Sequence, residues 1–476
     1  MPLILPGNVA TATAAVGYTV ANSVRLDGNA YMHKTQSGGN RQIFTMSCWT
    51  KLTGGYGASG GSLLSTDGTD DDSNFHFTVK ADKLTLHIYG ADAFTTAPVL
   101  RDYSAWYHIV LAVDTTQSTS SNRMKLYVNN SQITLTEAGD YPDQNDNFGV
   151  NESGTVMAVG THPATNSIAG YALNSYLAEY CLIDGQQLTP SSFGEANSDS
   201  PTIWQPIDPS DLTFGTNGFY LDFEASGNLG NDVNGGTDLT EVSLAATDQS
   251  TDTPTNNFCT MNPLAYRLES SGITNPTYSE GNCKLVLADD TYGKSSMGTI
   301  GVTTGKWYWE MKLTTDNDAA YCGITRAEYD PNDNFGGESI YYNSGDGALS
   351  VGTGTGGTAD GSYGDTYTTG DIIGVAFDAT NGVIWFSKAG TWQNSATIAE
   401  IGAGTTTNAA TTGITMSQTW MPFLEGNNCT WEVNLGGSPA FTVDSANADG
   451  DSYGSFEFPV PSGYFALCTK NLAEYG

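Results

Sequence analysis

The stretch 304-TGKWYWEMKL-313 sets Trp307, Tyr308 and Trp309 side by side and follows them with the charges Glu310 and Lys312. In a β-strand successive side chains point to opposite faces, so Trp307 and Trp309 share one face and Tyr308 takes the other. At least one aromatic pair of the run is then core, and ligand contacts are expected from loops elsewhere. Trp385 and Phe377 fit the same role in "GVIWFSK" and "IGVAFDA". Outward from this run the same unit recurs: a short alternation of apolar and polar residues closed by Gly, Asn, Asp or Ser-Gly. "RMKLYVNN" (123 to 130) places Met124, Leu126 and Val128 on one face and ends in the turn signal Asn129-Asn130. "KLTLHIYG", "WYHIVLAV" and "WEVNLGG" repeat it. The one expected helical turn lies near "LTPSSFGEA" (188 to 196), with Ser191 or Ser192 as its cap. A chain of such strands is all-β, and antiparallel sandwiches are its default architecture.

The 476 residues exceed one ordinary core and imply more than one domain. Seventeen Lys and Arg against fifty-one Asp and Glu leave a formal charge of −34, which repels phosphate backbones and anionic lipid. Neither nucleic acid nor membrane insertion is therefore expected, and no apolar run is long enough to span a bilayer. The N-terminus "MPLILPGNVATATAAVGYTV" lacks a basic region and is broken by Pro6 and Gly7, unlike a signal peptide. It reads as an extended arm over residues 1–20. The seven cysteines are scattered and mostly sit in strand-like runs such as "TMSCWTK", where a thiol acts as a small hydrophobe. Between residues 236 and 265 a Thr-, Asp- and Asn-rich stretch with Pro254 reads as a linker between two halves.

Three catalytic motifs match by pattern and fail by context. "GASGG" (57 to 61) sets Ser59 in a Gly-x-Ser-x-Gly frame, but its flanks are loop and strand where a nucleophile elbow needs strand then helix. "GTGTGG" (352 to 357) is followed by "TADGSYGDTY", which cannot open the helix that would hold a pyrophosphate. "ADDTYGKSS" (288 to 296) has Ala288 in place of the first Gly of a phosphate loop, and Asp289 and Asp290 would repel phosphate. The paired-acid pattern of β-sandwich glucanases is missing, so no catalytic residue is assigned. Asp70, Asp71 and Asp72 could bind calcium, but no second spaced ligand cluster accompanies them. No other cofactor is implied.

The segments "SVRLDGNAYMHK", "TMSCWTKLT", "WYHIVLAVDTTQSTSSNRMKLYVNN" and "YLAEYCLIDGQQLTPSSFGE" resemble the laminin G-like, concanavalin A-like lectin domain found in structural proteins of tailed bacteriophages. "GKWYWEMKLTT", "YCGIT", "GDIIGVAFDATNGVIWFSKAGTW", "WMPFLEGNNCTWEVNLG" and "FEFPVPSGYFALC" resemble, in that order, a SPRY domain, with "SKAGTW" where the family usually has Lys-Asn-Gly. The resemblance implies two antiparallel β-sandwich (jelly-roll) domains in tandem: concanavalin A-like over 21–235, a linker over 236–265 and SPRY over 266–476. It implies a virion protein on the particle exterior, a tail or head fibre or surface decoration. Such a protein contacts host glycan or protein, joins other virion proteins through the arm and forms a homo-oligomer. The alternatives are a purely structural decoration protein and an enzyme that degrades envelope polysaccharide. Tyr341, Tyr363, Asn427 and Asn428 are the candidate ligand contacts, placed in Gly-rich or Asn-rich loops where rings and amides can meet a sugar or peptide.

Overall fold

The structure is a computed structural model and describes residues 17–54, 60–67, 74–88, 91–137, 141–163, 171–266, 275–288, 294–328, 339–352 and 358–476. The chain divides between Thr255 and Asn256 into two compact units, each an antiparallel β-sandwich as the strand pattern requires.

In the first unit, two eight-stranded sheets face each other. Ile43–Leu52 lies between Trp106–Asp114 and Asn174–Asp184 in one, and Phe75–Lys80 lies between Gly61–Asp67 and Lys83–Ile88 in the other. The alternation is visible in "FHFTVK": Phe75, Phe77 and Val79 enter the core with Phe44, Leu111 and Met157, whereas His76 and Thr78 take the outer face. The end of the expected arm belongs here too. Val20 is buried, and its N–H donates to Thr255 Oγ1 at 3.1 Å. Residues 1–16 lie outside the described residues.

The stretch read as a linker is built into the two units instead. Thr240–Val242 adds an edge to Tyr31–Thr35, and Gln249–Ser250 adds one to Ser23–Asp27. Asp252 meets the Lys51 ammonium at 2.7 Å with both side chains 1% exposed, and it also accepts from Trp106 Nε1 at 3.0 Å. From Phe258 onward the chain enters the second core, and Met261–Tyr266 pairs with Lys294–Gly298. Short edge strands and a carboxylate with a buried partner have the composition of a loop, which is why composition misread them. The expected helical turn is a single 3₁₀ turn, Pro190–Ser192, headed by Thr189 rather than by either serine, and no side chain caps it.

In the second unit thirteen strands join one continuous hydrogen-bonded network. Its spine is the 21-residue strand Lys306–Arg326. The near part of this strand pairs with Ile372–Asp378, its far part with Ser339–Asn343, and Trp420–Asn434 runs along it almost end to end. Trp307 and Trp309 enter one core with Phe377 and Trp431, and Tyr308 enters a second with Trp385, Phe456 and Tyr464. The aromatic run is thus core on both faces. All seven cysteines are buried, as their strand-like runs suggest.

Candidate functional site

The strand Asn174–Asp184 reads NSYLAEYCLID, and a strict period of two would put Leu177, Glu179 and Cys181 on one face. Its pairing with Ile43–Leu52 slips between Ala178 and Cys181, where Glu179 takes φ +49°. This bulge changes the phase: Leu177 faces the sandwich core before it, Tyr180 and Leu182 after it, and Cys181 and Ile183 turn to the outer cluster. Glu179 is thereby lifted out of the core register while remaining 5% exposed. Its Oε2 accepts from Tyr220 Oη at 2.7 Å and from Tyr18 Oη at 3.1 Å, and the two hydroxyls lie 3.1 Å apart. Tyr220 is held by the strand Phe219–Leu221, which pairs with this same strand, and its N–H donates to Asp232 Oδ1 at 3.0 Å.

Tyr18 and Tyr220 form part of the wall of an open depression of about 310 Å³, together with Phe214, Asp208, Asp222 and Glu224. The Phe214 and Tyr220 rings stack at 6.1 Å. Val233, an exposed apolar side chain, stands at the same depression. Burial pushes the Glu179 carboxyl up to about 7; the two tyrosine hydroxyls oppose this, and the charges of Asp222 and Asp208 add to it. Both tyrosines are driven upward by burial and by Glu179, so they remain protonated. The arrangement is a buried carboxyl one hydrogen bond behind a wall of phenols and carboxylates.

Four of the five histidines associate with the other sheet of this unit. His33, Ala158, Ser65, His76 and His87 lie side by side across successive strands. His162 stacks on His76 with ring centroids 3.8 Å apart, and Tyr171 lies 5.3 Å from both rings. Burial pushes His76 down to about 3 and His162 to about 4, so these rings are neutral at ordinary pH. They stack on one another rather than converge, and among the described residues no group of three His, Cys, Asp or Glu side chains is placed to hold a metal ion. Asp70, Asp71, Asp72 and Ser59 lie outside the described residues.

The four expected ligand contacts of the second unit are not brought together in loops. Tyr341 sits within the strand Ser339–Asn343, buried among Met297, Met421 and Phe423. Tyr363 is half-buried against the core, and its hydroxyl accepts from Phe386 N–H at 3.2 Å. Asn427 and Asn428 lie inside the strand Trp420–Asn434, half-buried, where its pairing slips opposite residues 316–319. Asn428 has φ +48° and accepts from Asn317 Nδ2 at 3.4 Å. The "GNN" that suggests a loop is a bulge, because Asn tolerates the left-handed conformation a bulge needs.

Residues 26–161 match the concanavalin A-like lectin/glucanases superfamily, and residues 306–405 match the SPRY domain family. The chain carries a concanavalin A-like domain followed by a SPRY domain. No curated protein matches the sequence. Among solved structures, the SPRY domain of human HERC1 is similar at 15% identity over 36% of this chain and 96% of that one, with a TM-score of 0.28. The heptameric SAP-like pentraxin of Limulus polyphemus is similar at 16% identity over 36% and 80%, with a TM-score of 0.27. The TRIM65 PSpry domain is similar at 12% identity over 37% and 92%, with a TM-score of 0.27. Both domains of this chain are of lectin and SPRY types, which are binding folds rather than typical enzyme families. Glu179, Tyr18 and Tyr220 lie beyond the matched segment of the concanavalin A-like domain, and sequence reasoning missed them. The one available signal was an acidic residue in the apolar run "YLAEYCLI".

Proposed function

We propose that this chain is a virion structural protein of the tailed-bacteriophage type, a fibre or surface decoration that binds host surface glycan or protein without catalysing a reaction. The observation that carries the binding part is the depression in front of Glu179, where two phenols, a stacked ring and three carboxylates meet, Tyr220 on a sheet strand and the others on the segments beside it; rings with a few polar groups are the chemistry of sugar and peptide recognition. A catalytic acid must reach the atom it protonates. Glu179 instead lies behind two tyrosines whose hydroxyls occupy one of its oxygens, which favours binding over hydrolysis. The part of the arm ahead of residue 17 is assigned to attachment on the particle or on a sister subunit.

The test is adsorption of the purified full chain to host cells, together with labelled imaging of the particle. Saturable adsorption, a position on the particle exterior and no sugar release from surface polysaccharide are expected. Sugar release that a Glu179→Gln variant lacks would overturn the non-catalytic part. A second reading, a decoration protein with no host ligand, draws on the burial of Tyr341 and the half-burial of Tyr363, which takes the two expected rings out of the SPRY domain's surface. Absence of any adsorption from a correctly incorporated chain would select it.

A further inference from the structure

Resting on the binding reading above but at a different place, we propose that the concanavalin A-like domain takes a carboxylate-bearing sugar of a surface glycan in a depression beside Lys125, whose ammonium is the counter-charge. The strands Met124–Val128 and Ser131–Ile133 form a hairpin at one edge of their sheet, turned by Asn129 and Asn130. Their pairing ends at Leu126 with Ile133, so Met124 and Lys125 have no strand beside them on the hairpin side. Thr134, Leu135 and Tyr141 stand off from that edge and help to enclose a depression of about 360 Å³. Its floor is apolar: Met124 and Leu126 are buried, and Ile133, Leu135 and Tyr141 pack against the core. Tyr141 is fixed in place, since its ring lies 5.0 Å from Phe94 and the carbonyl of the next residue, Pro142, accepts from Arg123 at 2.7 Å.

The rim is rich in donors. Ser121, Asn122, Lys125, Gln132 and Thr134 line it, and none of these side chains has a hydrogen-bond partner among the described residues. No Asp or Glu of the described residues lines it, although the chain holds fifty-one acids against seventeen bases. Lys125 has no carboxylate partner among the described residues, whereas Arg25, Arg41 and Lys51 of the same domain each have one. Arg123, two residues away, gives its guanidinium to the carbonyls of Gln117, Ser118 and Pro142, so its charge is likewise unmatched by a carboxylate there. Two uncompensated cations beside an apolar floor select a ligand with an anionic group and an apolar face. A sugar acid has both, C–H groups for Tyr141 and Ile133 and a carboxylate for Lys125. A neutral sugar would forgo the charge-assisted bond, and an amino sugar would be repelled. The formal charge of −34 opposes any anion at a distance, but at about 0.15 M salt the screening length is ~8 Å and the contact at Lys125 dominates. The volume is at the small end of ligand clefts and suits one ring with its substituents.

The experiment is isothermal titration of the full chain at about pH 7, where carboxylic sugars are ionised, with a tetramer of galacturonic acid and with the same tetramer fully methyl-esterified, which keeps the rings and removes the charge. The acid should bind about fivefold tighter or more. Lys125→Arg should keep that preference and Lys125→Gln should lose it, both with an unchanged melting temperature. Equal binding of acid and ester, or a preference that survives in Lys125→Gln, would overturn the proposal while leaving glycan binding intact. Tighter binding of tetraglutamate than of the sugar acid would overturn the sugar as the source. No binding of either tetramer by a chain that still adsorbs to host cells would overturn this site and leave the binding reading standing. Absence of any adsorption would remove the binding reading, and this proposal with it.

Discussion

In each domain burial pushes one strand glutamate, Glu179 in the first and Glu310 in the second, up to about 7. Their partners differ. Glu310 receives N–H from Glu457 and Phe458 at 2.8 Å each, Tyr308 Oη at 3.0 Å and Asn434 Nδ2 at 3.4 Å. Two of these donors are main chain and cannot turn round, so the SPRY carboxylate is a latch that ties residues 457–458 to the strand Lys306–Arg326. Among the described residues Glu179 has only phenol hydroxyls, which accept as readily as they donate, and an open depression beyond them. Perturbed proton affinity alone does not distinguish a site from a strut; the nature of the donors and the access to solvent do.

That contrast can be broken at several points. The largest effect should come from the SPRY core: Trp385→Ala should cost about 3–5 kcal/mol in denaturant unfolding, as removal of a packed aromatic does. A cost under ~1 kcal/mol would mean the second face of the aromatic run is not a core.

Next comes pH. Because the folded Glu179 carboxyl is raised to about 7 from its usual 4.5, the folded state binds the extra proton between these values. Its contribution to stability is therefore largest below the lower value, falls as pH rises through the window and is flat above it, by on the order of 3 kcal/mol. His76, His108 and His162, all pushed down by burial, give the opposite slope in wild type and variant alike, so it is the stability difference between wild type and Glu179→Gln, followed from about pH 4 to about pH 8, that should show this fall.

A smaller effect separates the two carboxyls directly. At about pH 8, Glu310→Gln should cost about 2 kcal/mol, since an amide NH₂ would face donors it cannot accept from. Glu179→Gln at the same pH should be neutral or stabilising, because the phenols can reorient and a buried charge is removed. Equal costs would erase the distinction between latch and site. The smallest change is expected at the SPRY bulge: Asn428→Gly should shift stability by less than about 0.5 kcal/mol, because φ +48° suits glycine and the bond to Asn317 is exposed.

Much of the fold can be read in the linear sequence, and little of the site can. The alternation in "KWYWEM" places Trp307 and Trp309 opposite Tyr308, and the structure has them so. The same rule applied to "YLAEYCLI" fails at one residue, because a bulge shifts the phase at Glu179 and nothing in the run announces it. Asn427 and Asn428 show the converse error, where a turn signal marks a bulge within a long strand. The Asp- and Thr-rich stretch taken for a linker holds Asp252, whose partner Lys51 is 201 residues away in sequence.

The amino-acid order alone specifies strands, their two faces and the all-β class, because steric alternation of side chains is a property of each residue and its immediate neighbours. Only the folded chain decides which carboxylates are paired, which are buried and which face an opening. Tyr18 meets Glu179 across 161 positions and Tyr220 meets it across 41. Desolvation and hydrogen bonding act through space, so a glutamate becomes a latch or the back of a pocket according to groups that no local pattern brings together.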